Sequence, residues 1–206
     1  MTFPTVCNMR DLSTVLVSAR ASVIMQAFFP TSENRKVRLY QHNLARLVDK
    51  AIHEYQAARG YLVAQIEESH RSTEELMKGR ILYMDGFTNH LENCVNAVGR
   101  LFNMLDRLKS ERHENPIPRE LHRALKGRSN LTQVRNTMEH MDEVIQRDEL
   151  KEGTVGVLSL GPDQASVVIG SYSISFLDLE ATLRTFHEIA HSALKPLQVP
   201  SATDGA

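Results

Sequence analysis

Tryptophan is missing from the 206-residue chain, and cysteine occurs only as Cys7 and Cys94. Two isolated cysteines allow neither a disulfide framework nor a zinc ribbon; this usage fits a reducing compartment, so a cytoplasmic protein is expected. Net charge is lacking too. The 24 Lys and Arg stand against 25 Asp and Glu, a balance of -1, so no global field draws the chain to nucleic acid or to an anionic membrane, and any basic surface must be local. There is no long apolar run either. Residues 15–29 form the most apolar early stretch, but Arg20 and Gln26 interrupt it. That is too short for a membrane span and too broken for a signal peptide, and no membrane partner is expected. Gly153, Gly156, Gly161 and Gly170 do not have the spacing of a phosphate-binding loop, and no cofactor is expected. Internal repeats and low-complexity segments are absent as well. What remains, 42% hydrophobic and 24% charged positions, suits one globular domain with a sizeable core.

The periodicity is mainly helical. Residues 1–32 read as an N-terminal arm or weak helix, with Asp11 as its cap and Pro30 as its stop. In residues 37–68, Leu44, Leu47, Val48, Ala51, Ile52, Tyr55, Ala58, Tyr61 and Leu62 recur at three- and four-residue spacing, which predicts one long amphipathic helix. A second long helix starts after Ser72, where Glu75 completes a capping box. It carries Leu91, Cys94, Val95, Val98, Leu101, Phe102, Leu105 and Leu108 on one stripe, although Gly79 and Gly86 weaken its first half. Cys94 on that stripe reads as an inert core thiol. Beyond the linker 115–118, residues 119–126 form a short helix closed by Gly127. A further helix runs from Ser129 or Asn130 to about Leu150, with Val134, Met138, Met141 and Ile145 on its buried side. Residues 154–160 and 165–176 are rich in Val, Ile, Tyr and Ser around 161–164, which predicts one β-hairpin. A last helix over 177–194 buries Leu179, Leu183, Phe186, Ile189, Ala190 and Leu194, and residues 196–206 read as a disordered tail. The expectation is a mainly α domain over 33–195, with the small hairpin at about 154–176 before the C-terminal helix.

One polar constellation stands out from this frame: Arg135, Asn136, Thr137, Met138, Glu139, His140, Met141, Asp142, Glu143. At 100° per residue from Val134, the core stripe points near 0°, and Asn136, His140 and Glu143 fall at about 200°, 240° and 180°. His140 therefore faces away from the helix's own core. Arg135 followed by Asn136, with four residues between Arg135 and His140, resembles the HEPN domains. These are helical bundles of prokaryotic defence and toxin systems and of some eukaryotic RNA-processing factors, marked by Arg, four to six residues, then His. Arg35 with His42, Arg107 with His113 and Arg184 with His191 fit the bare spacing too, but only Arg135 is followed by Asn and opens a compact helix preceded by a short basic one. The alternative is an unrelated bundle in which Arg135 simply pairs with Glu139 one turn on.

The resemblance implies metal-independent RNA cleavage at a homodimer interface. Arg135 would steady charge on the phosphate, His140 would move protons as general acid or base, and Asn136 would orient His140. It also implies an RNA substrate and a cognate antitoxin protein as partners. The local charge divides in two. Residues 116–135 hold Arg119, Arg123, Lys126, Arg128 and Arg135 against Glu120, a net of +4, and the first four make a candidate RNA-binding stripe. Residues 136–149 hold five acids against Arg147, a net of -4 that repels phosphate. The acidic half keeps a second alternative open, a non-catalytic interaction module of the same fold.

His187, Glu188 and His191 form a competing motif, the zincin string of two ligands one turn apart with a Glu to act on metal-bound water. It resembles zinc metallopeptidases. Against it, the only acid beyond His191 is Asp204 in the tail, both histidines border an apolar stripe, and no cleft-forming domain follows. No metal site is expected.

Overall fold

The structure is a computed structural model, described here at residues 4–15, 31–111, 117–125, 128–148 and 156–195. Expectations about residues 16–30, Asn115, Pro116, Lys126, Gly127, Leu150, Gly153, Thr154 and the tail 196–206 concern positions outside the described residues. The described residues are mainly helical, with seven helices and one small antiparallel sheet near the C-terminal helix, as the sequence pattern predicts. None of the helices is long and apolar enough to cross a membrane.

Two long helices carry the fold because each presents an unbroken apolar stripe. Helix α1, Arg35–Ser69, buries Leu44, Leu47, Val48, Ala51, Ile52, Tyr55, Ala58 and Leu62. After a short helix α2, Thr73–Leu76, comes helix α3, Met84–Ser110, which buries the expected eight residues from Leu91 to Leu108 together with Phe87 and Ala97. The two are antiparallel, because partners rise in number along one as they fall along the other. Lys36 pairs with Glu111, Glu54 with His90, and Gln65 with Tyr83. One stripe residue departs from expectation. Tyr61 is 38% exposed and lies over Gly86, where an added Cβ would overlap its ring. The glycine lets the helices approach beneath the ring.

The second long helix does not begin at Ser72. The Ser72–Glu75 capping box forms, but α2 ends after one turn, the chain bends through Gly79 at a φ of +130°, and α3 starts afresh at Met84. Burial decides this: α2 has no buried residue, so no packing offsets the helix cost of a glycine. The end of α1 supplies the missing partners. Gln65 Oε1 accepts from the Tyr83 N–H at 2.8 Å, and Glu68 Oε1 accepts from the Ile81 N–H at 3.1 Å.

Around this hairpin of helices lie α4, Arg119–Ala124, α5, Arg128–Glu139, α6, Met141–Gln146, and α7, Phe176–Ala193, with α4 against α7 and α6 against α5. Helix α7 lies on α1, with Leu179, Leu183, Phe186, Ile189 and Ala190 buried as expected, while α5 packs on α3 and on the sheet. Strands β1, Ser159–Leu160, β2, Ser166–Ile169, and β3, Tyr172–Ser175, pair in that order. The expected hairpin over 154–176 is thus a three-stranded meander. Its second arm folds back on itself at Gly170, whose φ of +56° and two-residue loop to Tyr172 make the turn. The motif helix is likewise split. It breaks at His140, which caps α6 with φ -113° and ψ 17°. Past the break the stripe fails: Met141 is 9% exposed, but Ile145 is 58% exposed. Asp142 and Glu143 then occupy the first turn of α6, where the helix dipole favours acids.

Residues 4–15 are a strap across the bundle, bound to it along their length, and Asp11 caps a turn at Ser13 where a helix start was expected. Arg59 Nε donates to the Met9 carbonyl, Arg10 lies 3.6 Å from the buried Glu180 on α7, and Gln164 accepts from the N–H groups of Thr5 and Val6. Met9 and Leu12 are buried in the core at 2% and 0% exposure. Leu12→Ala is therefore expected to lower stability by about 2–5 kcal/mol, the cost of emptying a well-packed core position. Urea denaturation checks this; a loss below about 0.5 kcal/mol is the surface-like value that a detached arm would give.

Candidate functional site

The break between α5 and α6 turns the constellation into two adjoining carboxylate-held groups. Arg135, one turn before the end of α5, lays its aliphatic stem over Gly99 of α3, where an added Cβ would come 2.6 Å from Arg135 Cδ. Its Nη2 then donates to Glu139 Oε1 at 2.5 Å. The small residue on α3 is what lets the arginine lie flat and reach along its own helix. His140 follows at the break, its side chain 60% exposed, with Nδ1 3.2 Å from Glu143 Oε1. Glu143 Oε2 in turn accepts from Arg147 Nη2 at 3.4 Å. Asn136 is exposed, and it is its backbone carbonyl that accepts from the His140 N–H at 3.0 Å. The residue whose side chain orients His140 is thus Glu143, where the family resemblance implied Asn136.

The basic stripe is smaller than the sequence implies. Arg119 and Arg123 on α4 are exposed. Arg128, however, holds both carboxylate oxygens of Asp106 on α3, at 3.1 and 2.5 Å, and its guanidinium lies 5.0 Å over the Phe102 ring. It lashes the first residue of α5 to α3, and the forked geometry suits arginine more than lysine. The Arg128 guanidinium holds the Asp106 carboxyl below its ordinary value. Nearby His122 is held below its ordinary value by burial and by Lys109.

Beside the break lies a cavity of about 280 Å³. Glu92 and Asn96 line it from α3, Met138 and Glu139 from the end of α5, Met141 from α6 and Ile169 from β2; Gly156 and Val157 complete the wall. Burial pushes the Glu92 carboxyl up, partly offset by a hydrogen bond from the Leu158 N–H. Thr88 Oγ1 donates to the Leu158 carbonyl at 3.1 Å, so α3 clasps both backbone polar groups of Leu158. Asn96 Oδ1 is buried and has no hydrogen-bond partner. Sequence reasoning missed this cavity. Its signal was faint: two polar residues one turn apart on the flank of an apolar stripe. A second polar cluster, also unforeseen, staples the seam between α1 and α3, where His90 Nδ1 lies 2.8 Å from Glu54 Oε2 and stacks 5.3 Å from the Tyr61 ring.

The zincin residues lie elsewhere, on α7. The rings of His187 and His191 meet edge to face with centroids 4.5 Å apart. Among the described residues no three His, Cys, Asp or Glu side chains are grouped to hold a metal ion, and Asp204 lies outside them. Comparison with family models, with curated proteins and with solved structures gives no match to this chain.

The Arg128–Asp106 pair yields a pH prediction. The folded-state pKa of Asp106 lies below its ordinary 3.8, so the pair's contribution is complete above 3.8 and is lost as pH falls through the lower folded value. Both side chains are 45% exposed, which limits the contribution at neutral pH to about 1 kcal/mol or less. The stability difference between wild type and Asp106→Asn, followed by denaturation from pH 7 to pH 2, is expected to shrink below pH 3.8 and to be constant above pH 5.

Proposed function

We propose that the chain is a HEPN-like helical protein that acts on RNA without a metal, at a face shared by two copies and centred on the break between α5 and α6. The observation that carries this reading is the state of the Arg135–His140 pair. Both side chains lie off the core, and His140 is fixed at Nδ1 by Glu143 with its side chain 60% exposed. A carboxylate at Nδ1 is the arrangement that orients an imidazole while its other nitrogen exchanges protons. In the proposed reaction the RNA 2′-hydroxyl attacks the adjacent phosphorus, the P–O5′ bond breaks, and a 2′,3′-cyclic phosphate and a 5′-hydroxyl are left. One His140 takes the proton from the 2′-hydroxyl and the partner copy's equivalent donates one to the leaving oxygen. Arg135 leaves Glu139 for the phosphate oxygens, where its charge stabilises the transition state. Arg119 and Arg123 are the exposed cations available to follow the backbone, while Lys126, also in the proposed stripe, lies outside the described residues. A cytoplasmic toxin or defence setting, with an antitoxin protein covering this face, follows from the resemblance.

A second reading has its own observation. Arg135 is neutralised by Glu139, and His140 is flanked by Glu143, so the face as it stands offers little free positive charge. That favours a non-catalytic interaction module of the same fold, in which these ion pairs are the contact surface.

Single-stranded RNA incubated in EDTA separates the two. Under the first reading it is cut, His140→Ala lowers the rate by about 10²–10⁴-fold with helical content unchanged, and His187→Ala leaves the rate alone. A strictly monomeric protein by light scattering would overturn the shared face. A dimer that cuts no RNA leaves the interaction module standing.

A further inference from the structure

The cavity bordered by Glu92, Asn96 and Glu139 holds a combination that the proposed function does not use. Glu92 is half-buried, and its hydrogen-bond partner is the uncharged Leu158 N–H. A carboxylate withdrawn from water without a cation beside it is costly, and the cost falls when a cation is supplied. Across the cavity Glu139 presents a second carboxylate whose one ion pair, with Arg135, uses Oε1 and is 44% exposed at the side chain. Asn96, also in the lining, has its Oδ1 buried and without a donor. The remaining lining is apolar: Met138, Met141, Val157 and Ile169. Two carboxylates and an amide on an apolar wall, with the Asn96 NH2 the one donor group among the lining side chains, describe the complement of an alkylammonium group: up to three N–H donors, a positive charge and a short hydrocarbon stem.

We infer that this cavity binds a primary alkylammonium group, its nitrogen received by Glu92, Asn96 Oδ1 and Glu139 and its hydrocarbon stem packed on Met138 and Met141. The inference does not rest on RNA cleavage, because it concerns groups on the inner side of α5 and can be tested on a protein that cuts nothing. It shares Glu139 with the Arg135 pair, so an occupant draws on the carboxylate that holds Arg135. The ammonium has two sources of the same chemistry, a free small amine or a lysine side chain of a partner protein.

Labelled methionine methyl groups in the intact protein read the site directly, with Met138 and Met141 as reporters and Met77, 84% exposed on the far loop, as control. The probes are n-butylammonium, Nα-acetyl-lysine N-methylamide and the neutral n-butanol. Saturable shifts at Met138 and Met141 in the millimolar range are expected with the amines, as befits a ligand of so few atoms, with Met77 unmoved and n-butanol without effect. Glu92→Gln retains an acceptor for Leu158 and is expected to weaken the amine by about tenfold or more; Glu139→Gln acts in the same direction. Tighter binding of the lysine amide assigns the site to a partner's lysine, and binding of butylammonium alone assigns it to a free amine. Equal shifts with n-butanol, no shift with either amine, or unchanged affinity in a folded Glu92→Gln protein overturns the inference. The wild-type comparison of amine with alcohol needs no variant to fold.

Discussion

The antiparallel seam between α1 and α3 is the constraint on which the rest of the molecule depends. It buries a stripe on each helix over much of their length, roughly 52 Å for the 35 residues of α1 at 1.5 Å per residue. At about 25 cal/mol per Å² of apolar surface, no other contact in the fold approaches it. Two features fix its register: the Glu54–His90 pair on its flank, and Gly86, which admits the Tyr61 ring. Helix α7 and the strap attach to α1 and α5 attaches to α3, while α4 sits on α7 and the sheet on α5 and α7. The polar face at the α5–α6 break is therefore positioned by α3 through two arginines, Arg128 on Asp106 and Arg135 on Gly99.

Legibility of the sequence followed burial. The stripes of α1, α3 and α7 are periodic over many turns, and α1, α7 and the stripe-bearing part of α3 from Met84 onward formed as expected because packing and propensity agree there. The failures share one cause. In residues 77–83 and after His140 the apolar period continues for a turn, but nothing packs against it. Helix α2 stops at Leu76 with no buried residue to hold it, and α6 stops soon after Met141, its one buried residue. The turn at Gly170 was overlooked for a different reason: residues 165–176 are uniformly strand-forming, and one glycine inside such a run signals a reversal only when its partner strand is known.

The candidate site was legible as a list of residues and illegible as an arrangement. Arg135, Asn136 and His140 were picked by spacing, but spacing cannot say which neighbour each will hold. The Arg135–Glu139 pair forms at the one-turn spacing that the sequence offered as the alternative reading, whereas Glu143, read from sequence only as charge that repels phosphate, is in the structure the partner of His140. Arg128 illustrates the same limit. Its charge counts toward a basic stripe in any window, yet Asp106, 22 positions away, takes it. The cavity had only the faint signature of Glu92 and Asn96 beside the α3 stripe, since its wall is assembled from α3, the α5–α6 break and β2, elements far apart in the chain.

The strap has a consequence for the order in which the molecule can be built. Thr5 binds Gln164 across 159 positions of sequence, and Arg10 reaches Glu180 on the final helix. During synthesis at about 5–20 residues per second, residues 4–15 wait roughly 8–35 seconds for these partners to exist. Met9 can meet Arg59 as soon as α1 has formed, so the inner half of the strap has an early partner. Its outer contacts at Thr5 and Arg10 cannot be made until the meander and α7 emerge.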